Sequence, residues 1–461
     1  MAENRLQAIQ TLETTLKLTK NADHIILHFT DMLGLLKGRT IPADQAENAL
    51  TQGIPFDGSS INGGANIEES DMTMKPDPTS FTVCPHYFYG KSVAAFICDI
   101  TTPDGEPFPN DPRHILKKIT QRIRQEGYEL TAAAELEFYL VKRKRQNIIE
   151  PVENHVTDKQ RYFDNSPGRD LTEPYRMDLS QALSTMGITV ERQHHEVGSA
   201  QNEVTIKYSD PQTTSDNITR HKFAAKAIAD KKYGWTATFM PKPWMGKAGS
   251  GMHIHLGLRE PKTGRNPLFD PDGYANISQK GRYFIGGILD HARALSALAA
   301  PTVNSYKRLV PGYEAPVYVA WSRRNRSALI RIPAFISEKE ARVEFRCPDP
   351  LCNPYLIYAA VFEAGVDGLR KKIDPGNAVD ANLYHLSETE RRNLNIKMLP
   401  ASLKEALEEW KSDDICIKAL GRETAEAYLK LKTQEWNEYE QHVPNGGNEV
   451  TKWEIEKYLY T

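Results

Sequence analysis

Two histidines follow a glycine-rich turn at the spacing of a β-strand. In the segment AGSGMHIHLG at 248–257, His253 and His255 stand two residues apart, and residues i and i+2 of a strand share a face. Both rings can therefore point into one cavity, while Gly249 and Gly251 let the backbone approach a ligand closely. The alternative is a strand whose histidines are merely hydrogen-bonded in the protein interior.

Four carboxylates occupy other strand-like segments. Glu135 and Glu137 interrupt an apolar run at i and i+2, and two unpaired carboxylates on one face of a sheet imply a partner of high positive charge. A Gly-Ser turn divides 191–206 into two strand-like runs, which predicts a hairpin that brings Glu196 and Glu203 to one cavity. A polar face open to solvent, or a charged hairpin without a site, would produce the same patterns.

Arginines are concentrated in the last third of the chain. The segment RVEFR places Arg342, Glu344 and Arg346 on one face of a predicted strand, and further arginines lie among apolar residues in 304–316 and 322–333. The chain has 58 Lys and Arg against 60 Asp and Glu, a net charge of −2. Such a local concentration favours binding of phosphate or carboxylate; for the RVEFR strand, an exposed row of ion pairs is the alternative.

These residue types together define a chemistry. Carboxylates with a histidine suit hard divalent cations such as Mg²⁺ or Mn²⁺, and arginines suit anions. Proteins stabilise a transferring phosphoryl group with this combination. The sequence has no GxGxxG and no GxxxxGK[ST] motif, so the sheet itself would have to hold a nucleotide.

Composition limits the function classes. A chain of 461 residues, 40% hydrophobic and 26% charged, is typical of a soluble globular protein of two or three domains. Its near-zero net charge predicts no nucleic-acid partner and no binding to anionic lipid. The polar first residues and the lack of a long apolar run predict a cytoplasmic protein with no membrane span, and five cysteines without a CxxC pair are expected to be reduced.

Hydrophobic patterning indicates the elements that position these residues. It predicts an opening helix over 3–20, a hairpin over 24–41 with Gly38 in or near its turn, a long ordered loop over 51–78 and a buried strand over 93–100. A proline-rich stretch at 107–112 predicts a domain boundary.

The larger second part alternates strands and helices without a regular βαβ rhythm, which favours an antiparallel sheet. A helix is predicted over 114–127, directly after the boundary. Helices dominate the C-terminal region, over 403–410 and 423–439, and are followed by a short tail at 451–458.

Seven motifs in succession resemble the signatures of type I glutamine synthetase. They are FDGSS at 56–60, AELEF at 134–138, HHEV at 194–197, GSGMHIH at 249–255, the segments 304–316 and 325–333, and EFR at 344–346. They follow the family's order over nearly the whole chain.

The resemblance implies an α+β fold: an N-terminal helix at 1–20, a small β-grasp domain at 21–107, and a catalytic domain at 108–461. The catalytic domain would have a curved antiparallel sheet flanked by helices and a helical C-terminal region. It further implies a homo-oligomer, a six-membered ring usually stacked as a dodecamer, with active sites between adjacent subunits.

The implied reaction has two steps. ATP phosphorylates the γ-carboxylate of glutamate, and ammonia then displaces phosphate from the γ-glutamyl phosphate to give glutamine, with ADP as the other product. The implied partners are glutamate, ammonium and ATP, and the implied cofactor is Mg²⁺ or Mn²⁺, two or more ions per site.

Residue roles follow from the resemblance, motif by motif. One metal would be held by Glu137, Glu196 and Glu203, and a second by Glu135, His253 and Glu344. The substrate side would comprise Arg308, Arg346 and Gly249 for glutamate, and Asp57, Ser60, Tyr162 and Glu196 for ammonium, with Asp57 supplied by the neighbouring subunit to help deprotonate it. Arg326 would contact the transferring phosphate, Glu314 would shield the intermediate from water, and the nucleotide side would comprise Glu191, His255, Arg331, Lys339 and Arg342.

Four positions depart from the family pattern. The family usually has asparagine at the position of Ala248 and serine at the position of Gly257. The resemblance implies that the missing amide weakens the contact between this turn and the flap loop that carries Glu314, and that the missing hydroxyl removes a contact to the nucleotide.

Asn66 stands where one subgroup of the family carries an arginine used in feedback inhibition by glutamine. Tyr384 aligns with a tyrosine that another subgroup adenylylates, but the residues around it differ. The sequence therefore leaves feedback inhibition by glutamine open and does not favour adenylylation. The segment 444–448 stands before the tail that docks between rings in the family, so the ring assembly stays open between hexamer and dodecamer.

Two alternative functions stay open at this level. One is a γ-glutamyl ligase that uses an amine, such as a polyamine or ethanolamine, in place of ammonia. Ala248 and Gly257 permit it, and retention of Asp57 and Tyr162 argues against it. The other is a catalytically silent member of the family, whose expected mark would be missing metal ligands; all six positions are retained.

Overall fold

The fold is that of a computed structural model, which describes residues 2–143, 148–153, 161–444, 446–447 and 449–461. In its N-terminal part, one helix precedes a six-stranded sheet of order β2-β1-β6-β4-β3, with β5 paired to β6. The elements are α1 (Ala2–Thr19), β1 (His24–Thr30), β2 (Leu36–Pro42), α2 (Ala46–Gln52), β3 (Ile54–Asp57), β4 (Asp71–Pro76), β5 (Thr82–Cys84) and β6 (Val93–Thr101). β1 and β6 are parallel, and the other pairs are antiparallel.

Two sequence predictions for this sheet are wrong. The segment 51–78 is not a long loop, because β3 and β4 lie in it and pair with each other. The sequence signal for a strand here was the alternation in β4, where Met72 and Met74 are buried and their neighbours are more exposed. This is the period-2 pattern of a strand with one face on a core. Gly38 lies within β2, and the turn before it contains Gly34 at φ 84°.

The larger second part is built on a ten-stranded sheet of order β16-β13-β14-β15-β12-β7-β10-β9, with β8 and β11 also paired to β7. All pairs are antiparallel except β13 with β14. The strands are β7 (Glu129–Arg143), β8 (Ile149–Pro151), β9 (Val190–His195), β10 (Gln201–Ile206), β11 (Thr236–Thr238), β12 (Met252–Arg259), β13 (Tyr318–Arg323), β14 (Ala328–Ile332), β15 (Val343–Phe345) and β16 (Lys397–Met398). The predicted α+β class and antiparallel sheet are confirmed.

Helices flank this sheet and form the C-terminal region. They are α3 (Pro112–Gln125), α4 (Glu173–Thr185), α5 (Pro211–Ile228), α6 (Gln279–Asp290), α7 (Ala292–Ala299), α8 (Val303–Arg308), α9 (Pro354–Lys371), α10 (Glu388–Asn393), α11 (Leu403–Ser412), α12 (Ile415–Leu420), α13 (Arg422–His442) and α14 (Lys452–Tyr458). Among the described residues, no helix has both the length and the apolar character needed to cross a membrane. All five cysteines are buried and free of disulfides, as predicted.

The central helix α9 is buried from Pro354 to Gly368. It packs closely on α6, where a Cβ on Gly287 would lie 2.1 Å from the Ala364 carbonyl and one on Gly368 would lie 2.1 Å from the Tyr283 carbonyl. Glycine is therefore required at this crossing, because any side chain would push the two helices apart.

A buried arginine joins the two parts of the chain. Arg113, at the start of α3, pairs with Asp77 at 2.8 Å and Asp99 at 2.7 Å in the N-terminal part, and with Asp216 of α5 at 3.0 Å. Removal of Arg113 would leave the buried carboxylate of Asp216 without the guanidinium that pairs with it, which is strongly destabilising. This cluster fixes the N-terminal sheet relative to the sheet that carries the site.

Candidate active site

The site is organised by rows of residues that face each other across neighbouring strands. Residues directly opposite in a ladder point to the same face. In the first row, Glu137 of β7 is opposite Glu203 of β10, which is opposite His194 of β9. His194 Nε2 lies 3.2 Å from Glu203 Oε1 and its Nδ1 lies 3.8 Å from Glu196 Oε1. The hairpin predicted from the sequence therefore does bring Glu196 and Glu203 together.

The second row joins the two opening motifs of the sequence. Glu135 of β7 is opposite His253 of β12, whose Nδ1 lies 3.4 Å from Glu135 Oε2 and 3.9 Å from Glu137 Oε1. His255, two residues further along β12, reaches back to Glu135 with its Nε2 at 3.1 Å. Both histidines are thus on the cavity side, and the interpretation of purely interior histidines is wrong.

A third row crosses β12, β15 and β14. His255 is opposite Glu344, and Glu344 is opposite Arg331. Glu344 is buried and accepts hydrogen bonds from Arg331 and, at 2.6 Å, from Arg346 Nη1. The RVEFR strand is therefore not an exposed row of ion pairs; its charges face inward.

Of the three groups among the described residues that have the donor set and spacing of divalent-metal sites, two lie at this cavity. Glu135, His253 and Glu344 can each offer one donor atom within 4.8 Å of the others, and so can His194, Glu196 and Glu203. The oxygen and imidazole donors suit Mg²⁺ or Mn²⁺. Glu137, predicted with Glu196 and Glu203, lies opposite Glu203 and is held by the Gly251 N–H at 2.9 Å and by Gln201 Nε2 at 3.2 Å.

The carboxylates repel one another where no positive group is near. Burial, together with the charges of Glu137 and Glu203, raises the pKa of Glu196 well above its usual range, and burial also raises the pKa of Glu137. Burial alone would also raise the pKa of Glu135, but hydrogen bonds from His253 and His255 hold it well below normal. A bound cation would relieve the repulsion at Glu196 and Glu137, so the residues present fit a divalent metal.

Arginines line the other side of the same cavity. Arg308 of α8 is buried and donates to the carbonyls of Cys347 at 2.8 Å and Arg346 at 3.2 Å. These bonds fix the guanidinium, and the aliphatic part of the Arg308 side chain lies against Gly249, where a Cβ would lie 2.8 Å from Arg308 Cγ. Glycine at 249 is therefore required for this close approach.

Glu314, in a loop, and the exposed Arg326 lie together at the edge of the cavity. Arg326 Nη1 lies 3.7 Å from Glu314 Oε2, and Arg326 Nη2 donates to the Tyr162 hydroxyl at 3.2 Å. Glu314 has a left-handed backbone, with φ 57°, which a non-glycine residue adopts only under tertiary constraint. Arg346 Nη2 contacts the Glu314 carbonyl at 3.4 Å.

The cavity has a volume of about 590 Å³ and is lined by the arginines and by every member of both clusters except Glu344, which is fully buried. A second cavity of about 710 Å³ shares Arg192, His255, Ala334 and Arg342 with it. The second cavity is also lined by Glu191 and Lys339, while Arg331 lines the first. Two adjoining compartments can hold a substrate and a larger co-substrate side by side.

Asp57 and Ser60 stand apart from both cavities of this chain. Asp57 is exposed and accepts hydrogen bonds from the hydroxyls of Ser59 and Ser60, each at 2.7 Å. Neither Asp57 nor Ser60 is among the residues that line the cavities. One chain alone therefore does not bring these two predicted residues to the site.

Sequence reasoning missed several residues that line the site, among them three that contact the predicted carboxylates. His194 belongs to the HHEV motif, and its position opposite Glu203 makes it a partner of the carboxylates; its i−2 relation to Glu196 was the available signal. Gln201 donates to Glu137, and Arg192 Nη2 lies 3.4 Å from Glu135 Oε1. Nothing in the local sequence marks these two, because their contacts depend on strand pairing.

Comparisons with known proteins agree with this geometry. Residues 21–103 match the family model "Glutamine synthetase, beta-Grasp domain", and residues 109–458 match "Glutamine synthetase, catalytic domain". Glutamine synthetase of Thermotoga maritima is 45% identical over 98% of this chain and 100% of its own length. Glutamine synthetase of Methanosarcina mazei is 43% identical over 99% of each chain.

Solved structures agree as well. One described as "GmaS/ADP complex-Conformation 1" superposes with a TM-score of 0.82 at 28% identity, over 97% of this chain and 99% of that one. One described as "Apo GmaS without ligand" has a TM-score of 0.81 at 29% identity, over 95% and 97%. The two matched domains, the full-length relatives and the metal-binding geometry together show that this chain belongs to the glutamine synthetase family.

Proposed function

We propose that this protein ligates ammonia to the γ-carboxylate of L-glutamate, driven by ATP, through a γ-glutamyl phosphate that yields glutamine, ADP and phosphate. The observation that carries the proposal is the meeting of two carboxylate–histidine clusters with several arginines in one cavity. A phosphoryl transfer needs this arrangement, because negative charge must be neutralised on both the nucleotide and the acceptor.

The clusters are the places for two or more divalent ions, Mg²⁺ or Mn²⁺. Glu135, His253 and Glu344 would hold one, and Glu196, Glu203 and Glu137 the other, with His194 beside the second set. Such ions neutralise the phosphate oxygens. The hydrogen bonds that Arg331 and Arg346 donate to Glu344 orient its carboxylate, as partners of a metal ligand commonly do.

The two compartments divide the substrates. Arg308 and Arg346 lie where they would pair with the carboxylates of glutamate, close to the Gly249 backbone, and the exposed guanidinium of Arg326 would contact the transferring phosphate. The second cavity would take ATP, against Glu191, His255, Lys339 and Arg342, and Arg331 would reach the nucleotide from the first cavity.

Ammonium would be bound by Glu196 and Tyr162 of one chain with Asp57 and Ser60 of a neighbour. Support comes from the separation of Asp57 and Ser60 from the cavities of their own chain, which a homo-oligomer with sites between subunits resolves. We propose a six-membered ring, alone or stacked as a dodecamer. Asp57 would help to remove a proton from ammonium, and Glu314 would close over the acyl phosphate to exclude water.

The proposed domains are an N-terminal helix at 1–20, a β-grasp domain at 21–107 and a catalytic domain at 108–461. Support comes from the separate six-stranded and ten-stranded sheets, whose strands end at Thr101 and begin at Glu129.

One assay tests the function. Purified protein is incubated with glutamate, ATP and Mg²⁺, and phosphate and glutamine are followed with ammonium and with a panel of amines. The proposal expects both products with ammonium and far less phosphate with each amine. No phosphate with any acceptor would contradict ligase activity and favour a silent family member.

A second candidate is ligation of an amine. It is favoured by Phe163, which is 61% exposed, lines the first cavity and has its ring 3.9 Å from that of Tyr162. An apolar ring beside the acceptor position could contact the carbon chain of an amine. Equal or faster phosphate release with an amine than with ammonium in the same assay would select this candidate.

A further inference from the structure

We propose that Lys242 is a positioning residue that holds the flap loop 309–316 closed through the face of the Tyr313 ring. This inference rests on the proposed function, because its consequence is protection of the acyl phosphate beneath Glu314. The observation is that the Lys242 ammonium lies 3.9 Å from the centre of the Tyr313 ring, well within the range of a cation–π contact.

Lys242 is fixed by hydrogen bonds at its backbone and at its ammonium group. Its backbone N–H donates to Asn304 Oδ1 at 2.7 Å, and its carbonyl accepts from Asn304 Nδ2 at 2.9 Å. Its Nζ donates to the Lys247 carbonyl at 2.5 Å. Because Asn304 lies on α8, the helix that ends with Arg308, the ammonium is placed rigidly relative to the glutamate side of the cavity.

The ammonium has lost its water. The residue is 0% exposed, and burial, with a smaller contribution from Arg308, lowers the pKa of Lys242 to about 8. A buried ammonium is costly unless polar groups or a π face replace its hydration. The Lys247 carbonyl supplies one partner and the Tyr313 ring the other, so lifting the flap would break the cation–π contact and expose the ammonium to water.

Tyr313 connects this anchor to the flap. It lies between Gly312 at φ 94° and Glu314 at φ 57°, so the loop is tightly bent here, and the Tyr384 hydroxyl donates to the Ala315 carbonyl at 2.8 Å on the far side of Glu314. The ring, although 42% exposed, rests on the ammonium. The flap is thus held on both sides of the residue that shields the intermediate.

The contact also explains how the chain tolerates Ala248. The family pattern has an asparagine there, and its amide would tie this turn to the flap. Ala248 has no polar side chain, and its carbonyl accepts from the Tyr139 hydroxyl at 2.8 Å. Lys242 and Ala248 both lie in the connection between β11 and β12. The cation–π contact of Lys242 therefore links this connection to the flap in place of an amide hydrogen bond.

The test compares Tyr313→Leu with Tyr313→Phe, which removes the hydroxyl but keeps the ring. With ammonium limiting, we expect Tyr313→Leu to release several-fold more phosphate per glutamine, because water reaches the acyl phosphate, and Tyr313→Phe to keep the wild-type ratio. Lys242→Met is expected to raise the ratio in the same way; its thermal midpoint is measured to confirm that it folds.

Hydrogen exchange of the 309–316 peptide gives a readout independent of activity. We expect faster exchange in Tyr313→Leu and no change in Tyr313→Phe. Unchanged exchange in Tyr313→Leu, or equal acceleration in both variants, would overturn the inference. Failure of the proposed function is recognised separately. The wild-type protein would then make no glutamine from ammonium, while the exchange comparison would still report on the contact between Lys242 and Tyr313.

Discussion

Glu135 faces His253 across the ladder between β7 and β12, with Oε2 of the glutamate 3.4 Å from Nδ1 of the histidine. The pair links a strand that starts the catalytic sheet to one more than a hundred residues later. Glu344 completes the cluster from β15, so one proposed metal site draws a ligand from each of three neighbouring strands.

Replacing one member of this cluster should stop the reaction. We expect Glu344→Gln, which keeps the side-chain shape, to lower turnover by more than about 10–100-fold, since even a lost supporting partner of a metal ligand costs that much. Mn²⁺ binding, followed by electron paramagnetic resonance, should weaken with it. The control is Glu388→Gln on the exposed surface of α10. Near-normal activity in Glu344→Gln would contradict the two-metal arrangement.

Asp57 should act in the site of a neighbouring subunit. Asp57→Asn and Glu344→Gln are each expected to be almost inactive alone. When the two are unfolded, mixed in equal amounts and reassembled, about a quarter of the sites should combine an intact Asp57 with an intact Glu344, by random pairing around a ring. Activity that does not rise above that of either parent would place Asp57 outside the shared site.

Gly257 is matched to Thr131 on the opposing strand. A Cβ at 257 would lie 2.4 Å from Thr131 Oγ1, so Gly257→Ser should destabilise the protein by about 1–3 kcal/mol, the usual cost of overpacking. Thr131→Ala should relieve the clash in the double variant. Both residues line the nucleotide-side cavity, so thermal midpoint and KM for ATP are measured together. A double variant no more stable than Gly257→Ser would show that the clash is not the cause.

Arg308 should control glutamate affinity. Its fork is fixed by the carbonyls of Cys347 and Arg346, a geometry that lysine cannot reproduce. We expect Arg308→Lys to raise KM for glutamate at least about tenfold, while KM for ATP changes little. Arg392→Lys, at an exposed position of α10, is the matched control. A selective rise in KM for ATP would instead assign Arg308 to the nucleotide.

His291 should make stability depend on pH. Burial opposes its charge, but Asp413 at 2.8 Å and Asp367 at 3.1 Å outweigh burial and raise its pKa above the usual 6.5. The folded state then binds the proton more tightly than the unfolded state, so this stabilisation is complete below pH 6.5 and is lost as pH rises through the folded-state pKa. The difference in thermal midpoint between wild type and His291→Asn should shrink from pH 6 to pH 9. A constant difference would contradict the charged pair.

Residue types and strand parity could be predicted from the sequence. His253 with His255, and Glu135 with Glu137, must share a face, because side chains alternate along any strand. The hairpin around Gly198, the glycine-rich turn and the C-terminal helices follow from equally local signals. Ordered motifs carried the resemblance to the family, so the fold class and the family could be assigned before any coordinates.

The tertiary structure alone decided which faces meet. Register sets Glu137 opposite Glu203 and His253 opposite Glu135, and pairing between distant segments depends on the whole packed sheet, not on local pattern. For the same reason the sequence concealed the roles of Gln201 and Arg192, and the contact of Lys242 with Tyr313. Short-range periodicity fixes the face of the strand to which a side chain points, whereas long-range packing determines which residues it contacts on that face.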